Sequence, residues 1–298
     1  MLEEIFKKVV NPLVGTGIGR VKLLANIYQK MATKILPNEK VIEVQGFKIK
    51  VVTQGHIGDI STELLFKGVH EPMSTQVFKR LINEGDCVVD VGANIGYFTL
   101  LAARLVGQSG RVFAFEPSQD NMVELENNLA INNFCNVTTS LSALSDYNGR
   151  SKFFMSTSES ARHSLIQTHE HDAEAVVNVQ KLDDVIDYKH IPVHFLKTDT
   201  EGNELAVLKG AEQTINANKG IKLLFEVYFD ALKANNVEIS ELWNYVNKDL
   251  EFNYIYLVDD YKQTVFRVHT FTQVIFYCQK NKLACNLLCN RDNIPFYH

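Results

Sequence analysis

The chain is expected to fold as an α/β protein built on a mostly parallel sheet, and three features carry that expectation. From Cys87 onward, apolar runs of strand length alternate with segments of helix length, the pattern of parallel strands joined by crossover helices. The first run, VVD, ends in an acid and opens into the glycine turn VGANIGYF. The second, RVFAFEP, ends in another acid. Open α/β sheets bind ligands at the carboxyl ends of their strands, so both acids stand where a ligand is expected.

The 298 residues are 46% hydrophobic and 22% charged, enough for one large domain with an appendage and unlike disordered or collagenous chains. The division expected is an N-terminal helical segment and small β-hairpin over residues 1–70, then the main domain over 71–298. A net charge of −5 supplies no general positive field for a polyanion, which disfavours nucleic acid as a partner. The five cysteines, Cys87, Cys135, Cys278, Cys285 and Cys289, form no C-x-x-C pair and read as reduced thiols; the spacing of Cys285 and Cys289 suits one face of a helix. The start, MLEEIFKKVVNPLVGTG, lacks a signal-peptide apolar core, and no apolar run approaches the ~20 residues of a transmembrane helix. A cytoplasmic protein is expected, of open oligomeric state.

In chain order, Gly19 to Leu36 has the spacing of a basic amphipathic helix, while the nearby GTGIGR has no preceding strand and reads as a loop. Lys40 to Thr53 alternates about Gly46 as a hairpin, QGHIGDIST reads as a loop, and Pro72 suits the first turn of a helix. Strands are expected at Cys87 to Val91, Arg111 to Phe115, Val137 to Leu144, Val193 to Thr198 and Ile221 to Tyr228. Helices are expected at Ile95 to Leu105, Ser118 to Asn132, Asn203 to Ile215 and Ile239 to Asp249. Two late runs, Asn253 to Val258 and Phe271 to Gln279, are expected to pair antiparallel because the link between them is too short for a crossover helix. A hairpin-like KFFMS and a long polar loop from Ser156 to Ala175 break the alternation, and such a loop is expected to be functional.

Asp90 ends the first strand, so a phosphate there meets a negative charge, whereas a cationic ligand is favoured. Gly92 and Gly96 leave room for a ligand to approach the backbone, and the amides opening the next helix point toward it. Glu116 stands 20 residues beyond Gly96, where a carboxylate can accept both hydroxyls of a ribose. A nucleoside carrying a positive group meets all three conditions, and S-adenosyl-L-methionine is such a molecule. NAD is the competitor, but its pyrophosphate faces Asp90 and lacks the third glycine of the dinucleotide fingerprint.

Four blocks, HEP, DVGANIGYFT, FAFEP and FLKTDTEGNELAVLKGA, make the stretch from about Gly68 to Tyr228 resemble the FkbM family of S-adenosylmethionine-dependent methyltransferases. The resemblance implies a Rossmann-like class I methyltransferase fold, with a seven-stranded, mostly parallel sheet whose last strand is antiparallel and helices on both faces. It implies O-methylation of a hydroxyl on a sugar, glycan or other small molecule, and cofactor contacts at Glu71, Asp90, Gly92, Asn94, Gly96, Thr99 and Glu116. Most of these positions suit the cofactor on their own chemistry: Asn94 offers an amide and a carbonyl to its methionine end, and Thr99 caps that end. Glu71 rests mainly on the resemblance. Ser142 and Ala143, near the end of the third strand, are small enough to lie against adenine.

Catalytic candidates lie at KTDTEG, ending the fourth strand. In extended chain the carboxylates of Asp199 and Glu201 point to one side, where they can orient the cofactor, act as a base or hold a divalent metal; no metal requirement is expected. N-capping of the following helix is the structural alternative. Glu226, an acid in the apolar run LLFEVY, is expected near the same pocket. Among the histidines, His163 in SESARHS is the preferred candidate base over His169, His171, His56 and His70. The alternatives from other classes are a nucleic-acid methyltransferase and a non-catalytic nucleotide-binding protein.

Overall fold

The computed structural model describes residues 8–10, 28, 30–32, 34–52, 60–156, 163–167, 173–281 and 284–294. His56, His169, His171, the glycine motif at 15–20 and most of the amphipathic segment 19–36 lie outside them.

Strands β1 (Glu39–Val44) and β2 (Phe47–Val52) form a hairpin turned at Gln45 and Gly46, with φ of 51° and 81°. Positive φ at both turn residues matches the twist of the flanking strands. Helices α1 (Ile60–Lys67) and α2 (Pro72–Leu81) follow, with Pro72 in the first turn of α2. The main sheet then begins with β3 (Cys87–Val91), α3 (Tyr97–Val106), β4 (Arg111–Phe115), α4 (Gln119–Asn132) and β5 (Val137–Ser140). Next come β6 (Ala143–Leu144), β7 (Gly149–Met155), β8 (Ala173–Gln180) and α5 (Leu182–Val185). The chain continues through β9 (Phe195–Thr198), α6 (Glu204–Gly210), α7 (Glu212–Ala217), β10 (Lys222–Val227), α8 (Phe229–Ala234) and α9 (Ile239–Asn244), which runs into a π-helical turn, Tyr245–Asp249. It ends with β11 (Tyr254–Asp259), β12 (Thr264–Val268), α10 (Phe271–Asn281) and β13 (Cys285–Asn290).

The main sheet has the order β12-β11-β13-β10-β9-β3-β4-β5. From β10 to β5 its neighbours pair in parallel; β13, the last strand, lies antiparallel between β10 and β11. This is the mixed sheet with a reversed last strand that the resemblance implied, extended by the edge strand β12 to eight strands. Side chains alternate between two cores. Val88, Phe195, Leu224 and Leu288 join a core with α3, α4 and the hairpin, whereas Val89, Leu196, Leu223 and Leu287 join one with α6, α7 and α9. The hairpin is fastened to α4 by backbone amides of Lys48 and Lys50, each donating to an asparagine, Asn132 and Asn128, at 2.7 Å.

Several elements depart from the sequence expectation. Phe271 to Gln279 is helical: Val274 and Cys278 are buried while Phe276 is 66% exposed, the 3.6-residue period of an amphipathic helix. The antiparallel partners of β11 are therefore β12 and β13, and Cys285 and Cys289 belong to a buried strand, not a helix face. The expected strand Val137 to Leu144 is two strands, β5 in the main sheet and β6 in a small sheet of order β6-β8-β7. Ile60, Ser61 and Thr62, expected in a loop, begin α1, and the helix expected at Asn203 to Ile215 is broken into α6 and α7 at Ala211.

Candidate active site

A cavity of about 230 Å³ opens at the carboxyl ends of β3, β4, β9 and β10, where the parallel strands release their chains into the loops. Its wall includes Glu71, Gly92, Asn94, Glu116, Ser142, Ala143, His163, Asp199 and Glu201, bringing together most of the residues singled out in the sequence. Asp90 and Thr99 lie beneath that wall, both fully buried, with the Thr99 hydroxyl donating to Asp90 Oδ2 at 2.6 Å.

At one end, Glu116 accepts three hydrogen bonds. Its Oε2 takes the Asn94 amide at 2.8 Å, and its Oε1 takes the Ser118 amide at 2.8 Å and the Asn121 side-chain amide at 3.4 Å. Burial outweighs these bonds and pushes its carboxyl up to about 7. The glycines act through the backbone. Gly92 has φ 77° and a Cβ there would meet the Asp199 carbonyl at 1.9 Å; Gly96, at φ 97°, opens α3 against Leu125. Close packing between strand ends, more than ligand approach, thus requires glycine at 92. Ser142 is tied to the Gln180 side chain at 2.9 Å, which sets the wall where an adenine was expected.

Across the floor runs a polar row on one face of the sheet. Asp90, Lys197, Glu226 and Asn286 each stand two residues from a member of the first core, Val88, Phe195, Leu224 and Leu288, and alternation sends them to that same face. Lys197 Nζ lies 3.6 Å from Asp90 Oδ1 and 3.4 Å from Asp199 Oδ2, and 5.0 Å from the centre of the Phe98 ring. Burial disfavours its charge, but Asp199 and Asp90 outweigh burial and hold the ammonium above the ordinary lysine range. The lysine is therefore a fixed cation between two carboxylates.

At the other end, carboxylate oxygens of Asp199, Glu201 and Glu226 all come within 4.8 Å of one another. Strand β9 has ended by then, and Glu201 takes φ 53°, so a turn rather than an extended run brings the pair together. Neither acid caps α6, whose N-cap position is Asn203 with no side-chain cap bond; Glu204, the first residue of the helix, instead ties the preceding turn, its Oε1 accepting the Thr200 amide at 3.0 Å and its Oε2 the Gly202 amide at 3.1 Å. Burial, then the neighbouring Glu201, Asp199 and Glu71, pushes Glu226 well above the usual carboxylate range.

His163 reaches the cavity from beside Phe153, its ring edge-on at 5.9 Å, with Nε2 donating to the Ser156 carbonyl at 3.2 Å. A second histidine of the wall, His70, was ranked below it in the sequence. His70 bonds Glu63 through Nδ1 at 2.8 Å and approaches Glu71 at 3.8 Å; burial lowers its basicity, but these acids outweigh burial and raise it to about 9. Glu71 itself is pushed up to about 7 by burial and by Asp260, and it accepts from Asn286 Nδ2 at 3.2 Å. The signal for Lys197 and Asn286 was one polar residue inside an apolar strand, as in FLKT and CNLLCN.

No described helix is long and apolar enough to cross a membrane. Comparison with curated proteins returned no match. Among solved structures, the chain is similar to methyltransferase FkbM from Methylobacillus flagellatus KT, at 20% identity and a TM-score of 0.44 over 72% of this chain and 50% of that one. It thus spans about half the length of the Methylobacillus protein. It is also similar to an S-adenosylmethionine-dependent O-methyltransferase from Thermotoga maritima, at 14% identity and a TM-score of 0.43 over 88% of this chain and 89% of that one. A third similarity is to an rRNA methylase from Streptococcus thermophilus, at 14% identity and a TM-score of 0.43 over 74% of this chain and 95% of that one. The methyltransferase FkbM domain matches residues 90–256, more than half of the chain, and the protein belongs to the FkbM family of S-adenosylmethionine-dependent methyltransferases.

Proposed function

We propose that the protein transfers a methyl group from S-adenosylmethionine to a hydroxyl of an uncharged small-molecule acceptor, a sugar or glycan. One observation carries the reading: a single cavity joins the buried Glu116, with its amide-bonded carboxylate, to the acid cluster of Asp199, Glu201 and Glu226. The residues present fit the cofactor. Glu116 Oε2, which accepts one bond, keeps acceptor capacity for a ribose hydroxyl, Gly92 and Asn94 line the methionine end above Asp90 and Thr99, and Ser142 and Ala143 flank adenine. The bound cofactor supplies an electrophilic methyl group: the acceptor oxygen gains it as a C–O bond forms and the C–S bond breaks, its electron pair remaining on sulfur.

The chain's own part is alignment and proton removal. Asp199, ion-paired to Lys197 and about a quarter exposed, takes the acceptor proton, while Glu201 accepts a hydrogen bond from a neighbouring hydroxyl of the acceptor and His163 closes that side. Glu226, whose carboxyl burial and the neighbouring acids push up, completes the cluster behind Asp199 and Glu201. Alignment of donor and acceptor supplies ~7 to 11 kcal/mol in favourable cases, and a positioned base a further ~10²- to 10⁴-fold. The carboxylates oppose the approach of phosphates, which together with the net charge of −5 weighs against a nucleic-acid acceptor. Calorimetry with S-adenosylmethionine and its demethylated product, followed by transfer of labelled methyl to pools of sugars, lipid-linked glycans and RNA, tests the reading. Absence of cofactor binding removes it; methylated RNA in place of glycan redirects it to the nucleic-acid class.

A further inference from the structure

The hairpin β11–β12, through which the chain adds its edge strand, brings its turn to the cavity. Tyr261, in that turn, lines the cavity wall yet is 57% exposed. An exposed aromatic side chain on a two-strand turn ordinarily belongs to a loose surface, but this turn is fastened from both sides. Within it, Asp259 Oδ1 accepts the amides of Tyr261 and Lys262, each at 2.9 Å. Outward, Asp260 accepts the amides opening α2, Met73 at 2.6 Å and Ser74 at 2.8 Å, and the Ser74 hydroxyl at 2.7 Å. Asn286 joins the turn to the site: its side-chain amide lies 3.3 Å from Asp260 and 3.2 Å from Glu71.

Placement and chemistry agree. A tyrosine offers an apolar face and a polar tip, so it serves ligands that carry both characters. Beside it the cavity presents carboxylates, which accept hydrogen bonds from hydroxyls and disfavour anions. A neutral pyranose has hydroxyls around its rim and apolar C–H bonds on its faces, matching the two kinds of surface. We infer that Tyr261 is a specificity-determining residue, a platform at the cavity mouth on which a neutral pyranose acceptor stacks while its hydroxyl reaches the acid cluster. This inference rests on the methyltransferase reading and adds to it a residue and a ring type.

The test uses full-length protein, labelled S-adenosylmethionine and a panel of neutral methyl hexopyranosides, with matching hexuronates as the anionic arm. Affinity for S-adenosylhomocysteine is measured separately by calorimetry. The parent protein is expected to methylate a neutral hexopyranoside and to discriminate against hexuronates. Tyr261→Ala should raise KM for the sugar roughly tenfold, Tyr261→Phe should stay near the parent, and both should keep the parent's affinity for S-adenosylhomocysteine and its melting temperature. An unchanged KM in Tyr261→Ala overturns the platform, and so does failure of the parent to methylate any hexopyranoside while still binding S-adenosylhomocysteine. Loss of S-adenosylhomocysteine binding in the parent would instead remove the underlying methyltransferase reading.

Discussion

Glu116 and Asn94 are joined across the first turn of the site: the carboxylate ending β4 accepts, at 2.8 Å, the backbone amide of the turn that follows β3. The bond sets the position of the carboxylate oxygens, and burial pushes the carboxyl up to about 7. Charged hydrogen bonds contribute ~1.5 to 3 kcal/mol each in favourable cases, so Glu116→Ala should weaken S-adenosylmethionine binding more than tenfold. Because the neutral acid has less acceptor capacity, parent affinity should rise as pH increases through about 7, and Glu116→Gln should lose that dependence. Calorimetry from pH 6 to 8 reads both effects; a flat parent profile would separate Glu116 from the ribose.

Asp199→Asn should lower turnover by on the order of 10²-fold while leaving S-adenosylhomocysteine affinity within about threefold, since its place is at the acceptor end. Chelator is expected to leave turnover unchanged. Loss of activity with chelator and recovery on adding magnesium or manganese would assign Asp199, Glu201 and Glu226 to a metal instead. An Asp199→Asn variant of normal turnover would pass the base role to His163.

Lys197 supports the floor on which Asp90 and Asp199 stand. Removing one partner from a buried ion pair leaves the other charge uncompensated and typically costs about 3 to 5 kcal/mol. Lys197→Met should therefore destabilise the fold strongly in urea, and adding Asp90→Asn should recover part of the loss because Asp90 is fully buried. Independent, additive effects of the two substitutions would contradict the pairing.

His70 gives stability a pH dependence of determined sign. Its basicity rises from the ordinary 6.5 to about 9 in the fold, so the folded protein binds more protons than the unfolded chain between those values. The stabilisation is complete below about 6.5 and is lost as pH climbs through about 9. Each unit is about 1.4 kcal/mol, so urea titrations at pH 6.5 and 9.5 should differ measurably, and His70→Gln should flatten the difference. A parent whose stability rises across that window would exclude the imidazolium.

Much of the fold was legible because its strands are short apolar runs cut off by glycine or an acid: Cys87–Val91 and Arg111–Phe115 fall at their expected bounds. The late region was not. FTQVIFYCQ is rich in aromatic and β-branched residues, and that composition masked the spacing of Phe271, Val274, Ile275 and Cys278, which places them on one helical face. CNLLCN went unread because polar ends obscure a strand buried on both faces by neighbours distant in sequence. At the site, acids next to glycines were visible, whereas Lys197, Glu204 and His70 acquire their meaning only from partners that folding brings close.

Ser164 lies in the connection between β7 and β8 and pins it to the turn that carries Thr200 and Glu201. Its backbone exchanges two hydrogen bonds with Phe154, at 2.8 and 2.9 Å, and its buried hydroxyl reaches the carbonyls of Glu201 at 2.8 Å and Thr200 at 3.1 Å. The turn it holds contains Glu201 at φ 53°, a conformation that persists in a non-glycine residue only when its surroundings enforce it. Ser164→Ala removes the side-chain clasp and leaves the backbone pairing, so the Glu201 carboxylate should lose its set position while the cofactor end, walled by Glu116 and Ser142, stays intact. Turnover should fall with S-adenosylhomocysteine affinity within about twofold of the parent, a split that global unfolding would not produce. If affinity and turnover instead fall together, Ser164 supports the whole pocket and the connection has no selective hold on the acceptor end.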